Sequence, residues 1–245
     1  MSEDNTEYKI KEARGKSAWY TYRKLCFGNV SLGRALRTES TTFLFGSISG
    51  AAGLALRNIF YPGLFAQTGS KTIFGRNLTV RHPHKIQIGS NVIIDDGVVL
   101  DAKGDTNKGI YIGDNVYIGR NTILYTKNGN IRIGDNVNIS SNCQIFSSGD
   151  LEIGEGTMIA AFCYLLNGGS YNTSKDAAPF AQQSGMLSKG PTRIGSNCWL
   201  AAHTTITDGV TIGSHCVVGA GSVVLQDLPA HTFCAGTPAC PIRSR

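Results

Sequence analysis

Residues 194–223 read IGSNCW-LAAHTT-ITDGVT-IGSHCV-VGAGSV, five hexads that each open with an aliphatic residue. The same phase holds upstream. From Ile88 the chain divides into eighteen hexads in groups of three, with spacers of six, three, two and 23 residues, each following a third hexad. Two more, FGRNLT and VRHPHK, precede Ile88 with Ile86 and Gln87 between. Spacers of unequal length at one phase mean that the third corner of each turn tolerates excursions. The repeat predicts a triangular coil of three short strands and three corners, with each leading aliphatic pointing inward onto its equivalent in the next turn. Small residues after the lead, as in IGS, IGD and IGE, avoid crowding the corner. At a strand spacing of ~4.8 Å, seven such coils make a prism on the order of 34 Å long.

Composition agrees. The 245 residues include 30 glycines, and only 16% are charged, below the roughly 25% of ordinary globular chains. A net charge of +6 suits an anionic ligand such as a phosphorylated cofactor and is too mild and scattered to argue for nucleic acid. The seven cysteines include no CxxC pair, which argues against a zinc ribbon or a redox motif. Cys143, Cys163, Cys198 and Cys216 all occupy the fifth place of their hexads, which Thr122, Thr157, Thr204 and Ser222 share. That slot is predicted to be small and inward-facing, with free thiols that imply a reducing compartment. The start, MSEDNTEYKIKEARGK, has no apolar core of a signal peptide. The most apolar stretch, 42–56, has 15 residues, short of the ~18 of a spanning helix. A cytoplasmic setting is expected.

IGDNVYIGRNTI, the run from Ile194 to Val224 and the closing AGTPACPIR resemble the hexapeptide-repeat acyltransferases over about residues 68–243. The resemblance implies an all-β, left-handed parallel β-helix, an exception to right-handed crossovers. It also implies a homotrimer in which acyl-CoA lies between neighbouring prisms, and transfer of an acyl group, acetyl by expectation, to a hydroxyl or amine of a sugar or small molecule. The related γ-class carbonic anhydrases share the fold, but their histidine set has no counterpart in the central coils, and no metal is expected.

The 23-residue spacer, 171–193, matches the family's long loop, and loops of that length are usually functional. Relatives carry a histidine near its start as general base. Here the string is Asn167-Gly168-Gly169-Ser170-Tyr171-Asn172, and the spacer has no histidine. Ser170, or Tyr171, stands where the histidine is expected, with Asn172 beside it; His203 is the nearest histidine in sequence. Three alternatives follow: a different base or none, a Ser170 nucleophile, or a catalytically silent trimeric binding or scaffold protein. By the same resemblance the pantetheine arm runs past Ala202, Ala220 and Gly221, Leu225 and Gln226 stand where a Thr-Lys or Thr-Arg pair faces the nucleotide, and Arg243 matches a basic residue near the adenosine.

Residues 1–67 do not repeat. They read as a helical segment capping the first coil, whose bare strand edges need cover. Residues 8–24 are basic and aromatic and 42–67 apolar, which also fits peripheral membrane contact through 8–67. The expected organisation is a cap over 1–67 and a β-helix over 68–245.

Overall fold

The structure, a computed structural model, describes residues 15–169 and 187–245. Three helices lead: α1 (Ala18–Phe27), α2 (Leu32–Phe45) and α3 (Gly50–Phe60). From Gln67 the chain winds a left-handed parallel β-helix with three sheets, here faces A, B and C in order of appearance, of seven, nine and seven strands.

The leading aliphatics form the core. On face A, Ile88, Ile112, Ile133, Ile153, Ile194 and Ile212 stand in register, coil upon coil, each at most 2% exposed. Burial of each such side chain stabilises by roughly 1.5–3 kcal/mol. The spacers are not wholly corner excursions. The last residues of each belong to the face A strand, as in Ile86–Ile88, Ile110–Ile112 and Thr192–Ile194. Their first members, Ile86, Ile110, Ile131, Leu151 and Thr192, make a second inward column.

The glycine after a lead is required by the neighbouring coil, not by its own corner. A Cβ on Gly113 would meet Asp135 Oδ1 at 2.3 Å, and one on Gly195 the backbone nitrogen of Ser214 at 2.5 Å. The fourth place of the hexad takes the left-handed conformation: Asn91, Asn115, Asn136, Asn121 and Asn142 all have φ between 56° and 59°, as asparagine tolerates. Their side chains link coils, Asn91 Nδ2 donating to Asn115 Oδ1 at 2.8 Å and Asn115 Nδ2 to Asn136 Oδ1 at 3.2 Å.

The fifth-place slot is buried at all eight of the cysteine, threonine and serine positions named above. Its hydroxyls and thiols donate to corner carbonyls of the following coil: Thr122 to Ser140 at 2.8 Å, Cys143 to Ala160 at 3.1 Å, Cys163 to Ala201 at 3.2 Å and Cys198 to Gly213 at 3.2 Å. Cysteine is thus a weak donor here as well as a small apolar filler. Burial holds the Cys198 thiol up at about 11, protonated.

Both ends are closed. Thr232–Gly236 extends face B in parallel, and Ala239–Ser244 returns antiparallel along it. At the other end, buried Arg57 of α3 donates from Nε to the Phe74 carbonyl at 2.9 Å and from Nη1 to those of Phe45 and Ile48 at 3.2 and 2.7 Å. One cation so ties the helices to the first coil and offsets the carbonyl end of α2.

Candidate functional site

The faces differ in what they show to solvent. Face A presents charge that pairs with itself: Arg132 lies 4.4 Å over the Tyr111 ring, and Arg193 Nε is 3.5 Å from Glu152 Oε2. Face C presents rings. Arg81, Asp101, Tyr125, Phe146 and Leu166 form one outward column along it, with Ile123, Gln144 and Tyr164 in the column beside. Tyr125 and Phe146 are 5.1 Å apart between ring centroids. Tyr125, Phe146, Leu166, the side column of Ile123, Gln144 and Tyr164, and Gly169 line an open cleft of about 420 Å³. The charged end of the column is tight: Arg81 Nη1 lies 3.6 Å from Asp101 Oδ2, and His82 Nδ1 lies 3.4 Å from Asp101 Oδ1. Burial first, and the Asp101 charge second, push the Tyr125 hydroxyl up. It therefore stays protonated, able to donate a hydrogen bond.

The long loop leaves and rejoins the prism beside this cleft, at the corner between faces C and A. Its stem is clasped by Asp208 of the next coil. Asp208 Oδ1 accepts from the Gly168 amide at 2.6 Å and from Ser188 Oγ at 2.8 Å, and Oδ2 accepts from the Lys189 amide at 2.7 Å. Asn167, fully buried, donates to the Gly190 carbonyl at 2.7 Å and to Ser188 Oγ at 3.0 Å. The chain departs through Gly168 (φ 104°) and Gly169 (φ 86°), a backbone that glycine alone adopts without strain. The clasp sets where the loop departs and returns, whatever path it follows between.

The opposite edge of face C is the corner it shares with face B. Here the asparagine column of Asn121 and Asn142 gives way to Phe162, His203 and Gly221, all with positive φ. Phe162 and His203 stack at 5.0 Å with planes 3° apart. His203, exposed, sits in the turn slot of its hexad. Ala202 and Ala220 lie in the same two coils, the Gly221 amide donating to the Ala202 carbonyl at 2.9 Å. The result is a small-residue ledge beside an imidazole.

Of the predicted site residues, His203, Ala202, Ala220 and Gly221 come together on this ledge. Leu225 and Gln226, both exposed, follow the last face C strand (Val223–Val224) and lie at the loop-side edge. Arg243 is apart from both, on the returning strand of face B, with its guanidinium 5.3 Å from the Phe233 ring centroid. Ser170, Tyr171 and Asn172 lie outside the described residues. Ser222 is structural: it is buried, donates to the Gly219 carbonyl at 2.6 Å and accepts from the Gly236 amide at 3.1 Å. Among the described residues no group of three or more His, Cys, Asp or Glu side chains could hold a metal ion.

The cleft and the clasp were missed in the sequence, although a signal existed for the first. The second place of the third hexads reads Asp101, Tyr125, Phe146 and Leu166, bulky where the face A hexads have glycine. Face C strands there run four residues, as in Ile123–Thr126 and Gln144–Ser147, so that place lies on the sheet and points outward.

With this geometry in hand, comparison with known proteins is informative. The bacterial transferase hexapeptide family (six repeats) matches residues 191–226, and the hexapeptide repeat of succinyl-transferase matches 109–147. The putative colanic acid biosynthesis acetyltransferase WcaF of Escherichia coli K12 is 36% identical over 137 residues, 56% of this chain and 70% of that protein. A putative acetyltransferase of Staphylococcus aureus Mu50 is 35% identical over 114 residues, 46% of this chain and 55% of its own length. The match spans about half the length of several such curated relatives. Among solved structures, a mutant of AntD, an N-acyltransferase from Bacillus cereus, in complex with dTDP-4-amino-4,6-dideoxyglucose and coenzyme A, superposes with a TM-score of 0.51 at 25% identity, covering 74% of this chain and 84% of that one. Repeat, fold and kinship agree: the chain belongs to the hexapeptide-repeat acetyltransferase family.

Proposed function

We propose that this protein is an acyl-CoA-dependent acyltransferase that moves an acyl group, acetyl by kinship, onto a hydroxyl or amine of a sugar or small molecule. The observation that carries the reading is the setting of face C: an aromatic cleft flanked by a clasped loop stem on one edge and a small-residue ledge with an imidazole on the other. Aromatic walls suit the apolar faces of a sugar ring. AntD, with coenzyme A and an amino-sugar nucleotide in one complex, supports a donor and an acceptor of these classes.

In this reading the pantetheine arm lies along Ala202, Ala220 and Gly221, whose small side chains admit it closely. The acceptor hydroxyl or amine occupies the cleft. Its proton passes to a base, its lone pair forms the new bond to the thioester carbon, and the C–S bond breaks. The sulfur leaves as a thiolate that takes up the proton. His203 at the ledge is the base we assign, the imidazole that the structure sets beside the small-residue path. The active assembly is a homotrimer, with a neighbouring prism closing the open side of the cleft, in a reducing cytoplasmic setting that seven free cysteines support.

One observation favours a silent binding or scaffold protein instead: the long spacer has no histidine. Titration with coenzyme A beside a thioester-cleavage assay with acetyl-CoA and a panel of sugar and amine acceptors separates the two. Turnover that survives Ser170→Ala and falls at least about tenfold in His203→Ala supports the assignment. Coenzyme A binding without turnover on any acceptor supports the silent protein.

A further inference from the structure

Two of the three helices, α2 and α3, are inside out, while α1 buries Cys26 and Phe27. In α2 the buried positions are Ala35, Thr38 and Thr41, small or polar. Leu32, Leu36 and Phe43 face away, 50%, 51% and 84% exposed. At about 100° per residue these three fall within about 40° of arc, a single apolar stripe. In α3 the buried positions are Gly53 and Arg57, while Ile59 is 69% exposed. The inward choice has a local cause. A Cβ on Gly53 would meet the Ile48 carbonyl, and Arg57 is needed for three backbone carbonyls. No such cause holds Phe43 or Ile59 in water. A helix on a globular surface normally turns its apolar stripe to the core. Here the core is already filled by the coils, and the stripe points outward.

The charge of the helical segment is one-sided. Between residues 15 and 66 there are six cations, Lys16, Arg23, Lys24, Arg34, Arg37 and Arg57, and one carboxylate, Glu39. Most of the chain's net charge of +6 therefore lies in this segment. Glu39 itself accepts from the Tyr22 hydroxyl. Trp19, Tyr20 and Tyr22, each partly exposed, add amphipathic rings of the kind that settle at a water–hydrocarbon boundary. No helix among the described residues is long and apolar enough to cross a membrane.

We infer that α1–α3 are an in-plane docking surface for an anionic lipid bilayer. The Leu36 and Phe43 stripe of α2 and Ile59 of α3 enter the acyl boundary, while the segment's excess of cations draws it to anionic headgroups. A second copy of the chain is the poorer occupant, because it would bring a like-charged face against this one. The inference stands apart from the acyl-transfer reading and survives its failure.

The test uses the full chain and two vesicle preparations, phosphatidylcholine alone and phosphatidylcholine with about a third phosphatidylglycerol. The wild type is expected to co-sediment with the anionic vesicles and only weakly with the neutral ones. In a Trp199→Phe background, Trp19 emission shifts to the blue on binding. Both Leu36→Ser/Phe43→Ser and Arg34→Glu/Arg37→Glu lower the partition by about tenfold or more, with an unchanged melting temperature as the control for folding. Equal partition of wild type and both variants overturns the inference, as does absence of wild-type binding to either vesicle. A wild-type dimer abolished by Phe43→Ser, with no vesicle binding, overturns it in favour of a second copy.

Discussion

Faces A and C of the prism are built from the same repeat by the same residues pointing inward, yet they offer different chemistry to solvent. Inside, both carry a leading aliphatic column in coil-to-coil register, isoleucine on face A and leucine, isoleucine and valine on face C. Outside, face A carries Arg132 over Tyr111 and Arg193 beside Glu152, pairs that satisfy one another. Face C carries Tyr125, Phe146 and Leu166 around an open cleft. The fold is written in one half of the strand positions and the site in the other, so the two can be perturbed separately.

The sharpest way to break that separation is to cut the shared interior. Ile133→Ala on face A and Leu124→Ala on face C should each cost about 3 kcal/mol of stability, since both are fully buried and truncation leaves a cavity. Equilibrium urea unfolding measures this, and a markedly smaller loss on one face would show that the two interiors are not equivalent. Next in size is Asp208→Ala, which removes the acceptor shared by Gly168, Ser188 and Lys189. About 2 kcal/mol should be lost, and acyl transfer should fall by more than the stability change explains, because the loop loses its fixed stem. Phe146→Ala is expected to raise the acceptor KM about tenfold while kcat and coenzyme A affinity change little; steady-state kinetics with either substrate varied tests this. On the other face, Arg193→Ala should cost under about 0.5 kcal/mol, as for an exposed ion pair, and leave the kinetics untouched.

A separate effect is that of pH. His84, in the turn after the first face C strand, is held down to about 4 by burial, with His82 and Lys85 adding to it. Its unfolded form titrates near 6.5, so between these values the unfolded chain binds the extra proton. The stability contribution is present above pH 6.5 and is lost as pH falls toward 4. Melting temperatures of wild type and His84→Gln across that window should converge toward the acid end.

The interior was legible in the sequence because a leading aliphatic every six residues has one physical meaning. The thiols of Cys143, Cys163, Cys198 and Cys216 followed from the same phase. The spacers were read less well, since periodicity does not separate a strand residue such as Ile110 or Thr192 from a corner. Nor could it reveal the clasp: Asp208 in ITDGVT looks like any turn aspartate until the winding sets it against Gly168 of the preceding coil and Lys189. The cleft was within reach, given the run Asp101, Tyr125, Phe146 and Leu166 at one place of the third hexads, but outward residues carry no periodic constraint and attract less notice. The helices α1–α3 were legible as helix, and α2 was misleading in orientation, since a stripe such as Leu32, Leu36 and Phe43 normally marks an inward face.

The central claim is that face C, and not the equally regular face A, carries out acyl transfer. The most direct test is to place the same intrusive charge on each: Phe146→Arg on face C and Thr211→Arg on face A, with thioester cleavage of acetyl-CoA followed across a panel of sugar and amine acceptors. Turnover by the wild type, its retention in Thr211→Arg and its loss by at least about a hundredfold in Phe146→Arg is the predicted result. Turnover that survives in Phe146→Arg, or that disappears only when face A is altered, would contradict the account.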